Sequence, residues 1–162
     1  MDVKQFGSQE IAAFWEAIGS KLDDFVQLAE SIDQDGLHWQ PPAESTNSIA
    51  VLIVHTLGNI EENILEVLLH QPVGRDRDAE FVEGDFDARD LRMKWDELRT
   101  RLESALSQAN IEELDLVRSH PRRGTVTGRG VLINAAQHCA EHYGQAELTR
   151  DLYGARFSIA GS

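Results

Sequence analysis

The chain has 162 residues, and its 28 acidic and 15 basic side chains give a net charge of −13 at pH 7, which argues against nucleic acids and anionic membranes as partners. Its apolar fraction of 41% is enough for the core of a single domain over residues 1–162, and the lack of any run of about 18 apolar residues argues against a membrane span. The single cysteine, Cys139, excludes an internal disulfide, and the first residues lack the pattern of a secretory signal, so we expect a cytoplasmic setting.

The first predicted helix covers residues 8–32, with Ser8 as its N-cap. Its apolar residues recur at steps of three and four, which is the spacing of one buried stripe on an amphipathic helix. The stretch that follows, residues 33–47, is predicted as a linker because Pro41 and Pro42 cannot continue a helical hydrogen-bond ladder.

The second predicted helix begins after Asn47 or Ser48, either of which can cap it, and runs to about His70. Its β-branched start, residues 49–54, could be a strand on its own, but the helical spacing of the apolar residues that follow favours a helix. Residues 71–86 form a long polar connection. This length suits a crossover to the other end of a helical bundle rather than a tight hairpin.

The third predicted helix covers residues 87–109 and carries one regular apolar stripe. Residues 110–126 are predicted to be irregular or briefly extended. Thr127 can cap the last helix, which we expect over residues 127–153, with Gly154 in the C-cap position. Four helices with a long crossover between the second and third predict an all-α four-helix bundle.

A pair of histidines, His138 and His142, is the first candidate for metal ligation. Four residues advance about 400° around a helix, so both imidazoles leave the same face one turn apart. A third ligand must come from another helix, and His55 lies in the most apolar part of the second helix. Two other interpretations stay open: such a pair can be a chance surface feature, and a buried histidine is often bonded to a carbonyl or hydroxyl.

Residues 116–130 form a basic segment without any acid in an otherwise acidic chain. The segment could receive an anionic small molecule or a carboxylate of a partner subunit. Alternatively, it is a flexible basic loop near an acidic surface. Its basic residues are Arg118, His120, Arg122, Arg123 and Arg129.

Several neighbours of the histidines have candidate supporting roles. Glu141 and Gln145 could orient an imidazole, although Glu141 could equally belong to a solvated face. Asn59 and Glu62 lie one and two turns beyond His55, without a predicted role. Cys139 points about 100° away from His138 and is predicted to be a small buried hydrophobic residue. The remaining histidines are predicted to lie outside the site: His38, His70 and His120.

Two stretches together resemble the DinB/YfiT-like family. Residues 37–41 (LHWQP) followed by 47–55 (NSIAVLIVH) are similar to its first signature, and residues 138–145 (HCAEHYGQ) to its second. The resemblance implies a bundle with up-down-down-up connectivity that is often a homodimer. It also implies a divalent metal, usually nickel or zinc, held by His55, His138 and His142. The residue after the last histidine is often arginine or histidine in relatives, whereas this chain has Tyr143, which puts any role of that position in doubt.

The resemblance also implies a function, because characterised relatives include transferases and isomerases that use bacillithiol, mycothiol or glutathione. We therefore expect a metal-dependent transferase that joins a low-molecular-weight thiol to an electrophilic small molecule. Three protein ligands leave a coordination position open, as in catalytic sites. Arg122 and Arg123 could clamp the carboxylates of the thiol cofactor. The alternatives are a metal- and ligand-binding stress module without turnover, and a purely structural role for the histidines.

Overall fold

The structure is a computed structural model that describes residues 6–82 and 84–159, with their side chains as far as residue 156. Its α-helices are Gln9–Glu30 (α1), Gln34–His38 (α2), Ile49–Glu61 (α3), Ala88–Ser107 (α4) and Gly128–Ile159 (α5). Helix α3 continues directly into a π-helical segment, Glu62–Leu68, and the connections contain two 3-10 helices, Ala79–Phe81 and Ile111–Leu114. An antiparallel hairpin of Val117–His120 (β1) and Gly124–Thr127 (β2) precedes α5.

The four long helices surround one apolar core. Helix α1 packs on α4 and α5, and α3 packs on the same two helices. Trp15 and Trp95 meet where α1 contacts α4, with ring centroids 6.0 Å apart. Their indole N–H groups donate to Glu103 Oε1 at 3.3 Å and Asp23 Oδ1 at 2.7 Å, so the large rings are buried without an unpaired donor.

The all-α prediction is confirmed, with the small hairpin as an addition. The four predicted helices are all present, whereas the up-down-down-up order and the homodimer stay predictions. None of the helices in the described part of the chain combines the length and the apolar character needed to cross a bilayer.

The predicted helix starts are confirmed by capping bonds. Ser8, Ser48, Asp87 and Thr127 each accept a hydrogen bond from the backbone N–H three residues ahead, at 2.8–3.3 Å. Such a bond satisfies one of the donors that the first turn of a helix leaves unpaired. The second helix is therefore capped by Ser48, which decides between the two candidates for that position.

The end predicted for the last helix is wrong, because α5 continues through Gly154 to Ile159. Tertiary contacts hold the additional turn. The Tyr153 hydroxyl donates to Asp33 Oδ1 at 2.8 Å, and the Arg156 guanidinium lies over the rings of Tyr153 and Trp39 at 4.4 and 5.0 Å. A glycine inside a helix costs only about 1 kcal/mol, which contacts of this kind outweigh.

Two further elements differ from the sequence prediction. The predicted linker, residues 33–47, contains the short helix α2, whose first turn is capped by Asp33 through a 2.7 Å bond from the Gly36 N–H. The second predicted helix has the expected extent, but its last part, Glu62–Leu68, is π-helical. Apolar spacing does not distinguish the two helix types over so short a stretch.

The basic segment is folded rather than a flexible loop, because most of it forms the hairpin and the start of α5. Arg118 and His120 point inward from β1 and are buried. Arg118 pairs with Glu113 and also donates to the Leu68 carbonyl at 3.2 Å. Acids of the chain itself therefore neutralise part of the positive charge in this segment.

Replacing a fully buried leucine on α4 should destabilise the fold. We expect Leu102→Ala to lower the free energy of unfolding by about 2–5 kcal/mol, because it removes apolar contacts and leaves a cavity. The matched control on the same helix is Met93→Ala, at a side chain that is 58% exposed, with an expected change within about 0.5 kcal/mol. Urea unfolding followed by circular dichroism measures both. Equal effects of the two substitutions would contradict this description of the core.

Candidate metal centre

Three imidazoles converge inside the bundle, as the sequence predicts. His55 comes from α3, and His138 and His142 come from consecutive turns of α5. The ring centroids are 5.0 Å apart for His55 and His138, 5.1 Å for His55 and His142, and 4.3 Å for the α5 pair. One ring nitrogen of each lies within 4.8 Å of the other two. These three nitrogens can therefore reach a common point.

The environment of the α5 pair keeps the rings uncharged. Burial lowers the pKa of His138 to about 3, and the neighbouring His142 and His55 add to this shift. Burial also holds the pKa of His142 below its usual range. At neutral pH both rings therefore keep a lone pair, which is the form in which imidazole binds a metal.

His138 Nε2 is buried and has no hydrogen-bond partner within the described residues. A buried polar atom without a partner is costly, and most such atoms in folded proteins are satisfied. A metal ion bound by the three histidines would supply the missing interaction. The donor set, three imidazole nitrogens, suits zinc or nickel. The residues present therefore fit the metal that the family resemblance implies.

Hydrogen bonds fix the orientation of the other two rings. His55 Nδ1 lies 2.8 Å from Glu80 Oε2, and His142 Nδ1 lies 2.8 Å from Gln145 Oε1. When each Nδ1–H donates to its oxygen, the lone pair is on Nε2 and is available for a ligand. Ligating histidines commonly have a partner of this kind, which sets the tautomer and raises ligand basicity.

Glu80 belongs to a buried ionic chain that runs from His55 toward the hairpin. The Arg75 guanidinium donates to Glu80 Oε1 at 2.5 Å and Oε2 at 2.6 Å, and to Glu62 Oε2 at 3.0 Å. Arg122 donates to the other oxygen of Glu62 at 3.2 Å. The Arg75, Glu62 and Glu80 side chains are 4%, 6% and 9% exposed, so these charges depend on each other for solvation.

Both carboxylates of this chain stay ionised. Burial raises the pKa of Glu80, but the bonds from His55 and Arg75 outweigh it, and the pKa lies below the usual range. The pKa of Glu62 is likewise lowered, because the bonds from Arg122 and Arg75 outweigh the effect of burial. Glu80 therefore acts toward His55 as a carboxylate acceptor.

The sequence analysis did not identify Glu80 and Arg75, because both lie in a connection that has no periodic pattern. One signal was available in Gly58, an isolated glycine inside an apolar helix. A Cβ at position 58 would overlap the Glu80 carboxylate and lie 3.3 Å from Arg75 Nε. A glycine in a helix interior often marks such a close approach. Glu62, which had no predicted role, joins the ionic chain at the start of the π-helical segment.

The two arginines predicted to bind a cofactor differ in their surroundings. Arg122 is paired with Glu62, and its side chain is 39% exposed. Arg123 is exposed and makes no hydrogen bond or ion pair within the described residues, but its charge contributes to the low pKa of His138. The structure thus brings Arg122 into the ionic chain and leaves Arg123 as an exposed charge near the three histidines.

Four other residues that the sequence analysis singled out differ in their surroundings. Cys139 is fully buried, and burial raises its pKa to about 12, so its predicted role as a small hydrophobic residue is confirmed. Tyr143 packs against Phe25 of α1 at a centroid distance of 5.8 Å. Glu141 is exposed. His120 lies outside the site as predicted, but it is buried, and its Nδ1 accepts the Arg122 N–H at 3.1 Å.

Comparison with known proteins agrees with this architecture. A family model described as DinB superfamily matches residues 19–146, which is most of the chain. Comparison with curated protein sequences gives no match. The fold is similar to that of a DinB-like protein from Bacillus cereus, with a TM-score of 0.72, 15% identity, and coverage of 92% of this chain and 95% of that one.

Two further solved structures have a similar fold. A conserved protein from Enterococcus faecalis gives a TM-score of 0.71 at 20% identity, over 87% of this chain and 95% of that one. A mutant of mycothiol-dependent maleylpyruvate isomerase gives a TM-score of 0.65 at 13% identity, over 84% of this chain and 60% of that one. At these identities the similarities concern the fold alone, whereas the family match covers the sequence itself. The chain therefore belongs to the DinB superfamily.

Proposed function

We propose that this protein is a metal-dependent transferase that joins a low-molecular-weight thiol to an electrophilic small molecule. His55, His138 and His142 hold the divalent ion, with nickel or zinc as the expected metal. The observation that carries the proposal is the convergence of three imidazoles, together with the buried Nε2 of His138, which has no hydrogen-bond partner in the described part of the chain. The up-down-down-up connectivity, a homodimer and a cytoplasmic setting belong to the same proposal.

The chain's own residues prepare the site for this role. Burial keeps the two α5 rings neutral, Glu80 and Gln145 hold the Nδ1 protons of His55 and His142, and Arg75 holds Glu80 in place. A divalent ion with an open position acidifies a bound water or thiol, which is the chemistry that it supplies when bound. The protein itself thus orients the imidazole rings and surrounds them with a low-polarity environment.

The nucleophilic sulfur must come from another molecule. The only thiol of the chain, Cys139, is fully buried with its pKa raised to about 12, so it is neither accessible nor ionised. One of the similar structures is a mycothiol-dependent enzyme by name, which supports a small thiol as the co-substrate. Arg123, whose charge acts on His138, offers positive charge for the carboxylates of such a thiol, and the 39% exposed Arg122 adds to it while bonded to Glu62.

The reaction is a substitution at carbon. The thiol loses its proton to solvent, the sulfur–carbon bond forms, and the leaving group departs with the electron pair of the broken bond. This overall reaction needs no oxidant or reductant.

We expect the purified untagged protein to bind one nickel or zinc ion per chain. His138→Ala and His142→Ala should each lower the metal affinity by more than about a hundredfold. Each removes a ligand itself, which costs more than removing a residue that only orients a ligand. The control is His70→Asn, which changes an exposed histidine at φ 56°, a backbone conformation that asparagine tolerates. Calorimetric titration measures affinity, and circular dichroism confirms folding. Unchanged affinity in both variants would remove the proposed site.

Loss of the Glu80 charge should weaken metal binding without removing a ligand. We expect Glu80→Gln to lower metal affinity about 10–100-fold, since a neutral amide is a poorer acceptor for the His55 Nδ1–H. The matched control in the same connection is Asp78→Asn, at a side chain that is 99% exposed. If both variants bound metal as tightly as the wild type, Glu80 would have no part in orienting His55.

The transferase activity is tested with the metal-loaded protein and 1-chloro-2,4-dinitrobenzene, in separate reactions with glutathione, bacillithiol and mycothiol. We expect at least one thiol to react faster than it does without protein, with chloride as the leaving group. His138→Ala should return the rate to that baseline, and the His70→Asn control should not. Tight metal binding with no acceleration by any of the three thiols would instead favour a ligand-binding module without turnover.

A further inference from the structure

A cavity of about 290 Å³ lies between the loop of residues 41–47 and α5, and one of its lining residues, Gln145, is bonded to His142. Helix α3 contributes Leu52, which is one turn before His55, and α5 contributes Gln145, which is one turn after His142. The cavity therefore begins where the ligand-bearing turns of the two helices end. Its volume is near the lower end of the range for small-molecule sites, which starts at about 300 Å³.

The loop wall of this cavity is fixed by its own hydrogen bonds. The Thr46 hydroxyl is within 2.8 Å of the Pro41 carbonyl and 2.9 Å of the Ala43 carbonyl, and the Gln40 amide donates to the Thr46 carbonyl at 2.7 Å. Ser45 has a φ of 61°, a left-handed conformation that is uncommon for residues other than glycine. Strained backbone of this kind persists where surrounding contacts hold it. The loop is thus preorganised, which lowers the entropic cost of binding.

The lining has a distinct chemical character. None of the lining side chains is charged, although 27% of the chain's residues are. On the α5 side, Leu148 and Leu152 are 60% and 43% exposed, so apolar surface one turn apart remains in contact with water. An ion moved into such a cavity would lose hydration without gaining a partner of opposite charge. The cavity therefore fits an uncharged and mainly apolar molecule.

Gln145 connects the cavity to the metal centre. Its Oε1 is engaged by His142 Nδ1 at 2.8 Å, whereas its amide nitrogen has no acceptor among residues 6–82 and 84–159. This nitrogen has two N–H donors and suits an oxygen acceptor on a ligand. A molecule that accepts this bond would have its polar group next to His142 and its apolar part between the leucines and the loop.

We propose that this cavity binds the electrophilic substrate of the transferase, with the apolar part against Leu148 and Leu152 and a carbonyl or similar oxygen at the Gln145 amide. The substrate class is thus a small, uncharged, apolar electrophile with one acceptor group. That the ligand is a substrate rests on the proposed function. That the cavity binds a small apolar molecule depends only on the cavity itself.

Binding is tested on the metal-free protein with N-phenyl-1-naphthylamine, an uncharged fluorophore. We expect saturable binding, and Leu148→Arg should weaken it at least about tenfold because a charge would enter the apolar wall. The matched control is Ile133→Arg, on the same helix at 42% exposure but outside the cavity lining, with affinity unchanged. Absence of saturable binding by the wild type, or equal weakening by the two variants, would overturn the proposal.

Competition defines the ligand chemistry. Acetophenone should displace the probe, whereas benzoate, which has a similar size and a negative charge, should not. Gln145→Leu should weaken acetophenone about fivefold relative to the probe, which has no carbonyl. Equal displacement by benzoate would overturn the proposal. The proposal would also be overturned if the wild type formed a dimer that did not bind the probe and if Leu148→Arg dissociated this dimer. In that case a second copy of the chain would cover the cavity.

Failure of this inference is distinguishable from failure of the proposed function. If the protein binds nickel and accelerates thiol transfer but does not bind the probe, the proposed function stands and this substrate site is wrong. If the protein binds the probe but no metal, the cavity is a ligand site and the proposed transferase function is wrong.

Discussion

The bond between His55 Nδ1 and Glu80 Oε2 is the interaction on which the geometry of the site depends. Both side chains are buried, so removal of Glu80 would leave the His55 Nδ1–H without its carboxylate acceptor and the Arg75 guanidinium without one of its two carboxylate partners. The bond also ties the long connection between α3 and α4 to the helix that carries His55. Orientation of the histidine therefore depends on the fold of that connection, because Glu80 lies in the 3-10 helix Ala79–Phe81, which packs against α3.

The sequence predicted the helices and the histidine pair on α5 because both depend on regular local rules, whereas His55 was identified from its apolar surroundings and the family resemblance. Apolar spacing locates a helix, and the four-residue separation of His138 and His142 determines their common face. Glu80 and Arg75 could not be placed in this way, since contacts of an irregular connection are set by tertiary packing. The same reason explains the end of α5, where the contacts of Tyr153 with Asp33 and of Arg156 with Trp39 outweigh the local preference of Gly154.

Most arginines of the basic segment have acidic partners that the sequence alone does not reveal. The basic segment looks like a separate island in the sequence, but its arginines meet acids from distant parts of the chain. Arg129 pairs with Glu10, and Arg122 with Glu62. Within the described residues Arg123 is the member of this group that has no such partner, which makes it the arginine whose charge remains available to an incoming anion. A cluster of like charges in a sequence thus says little until the partners of each member are known.

At Gly58 the helix propensity of the residue conflicts with the space that the Glu80 carboxylate occupies. Alanine in its place would favour the helix by about 1 kcal/mol, but its methyl group would occupy the space of the Glu80 carboxylate. Because Glu80 is buried and bonded to both His55 and Arg75, moving its carboxylate would cost about 3–5 kcal/mol, which is more than the helix would gain. Glycine at this position therefore serves the stability of the whole protein at the expense of one helix, and a substitution chosen from helix propensity alone would both lower the melting temperature and misorient His55.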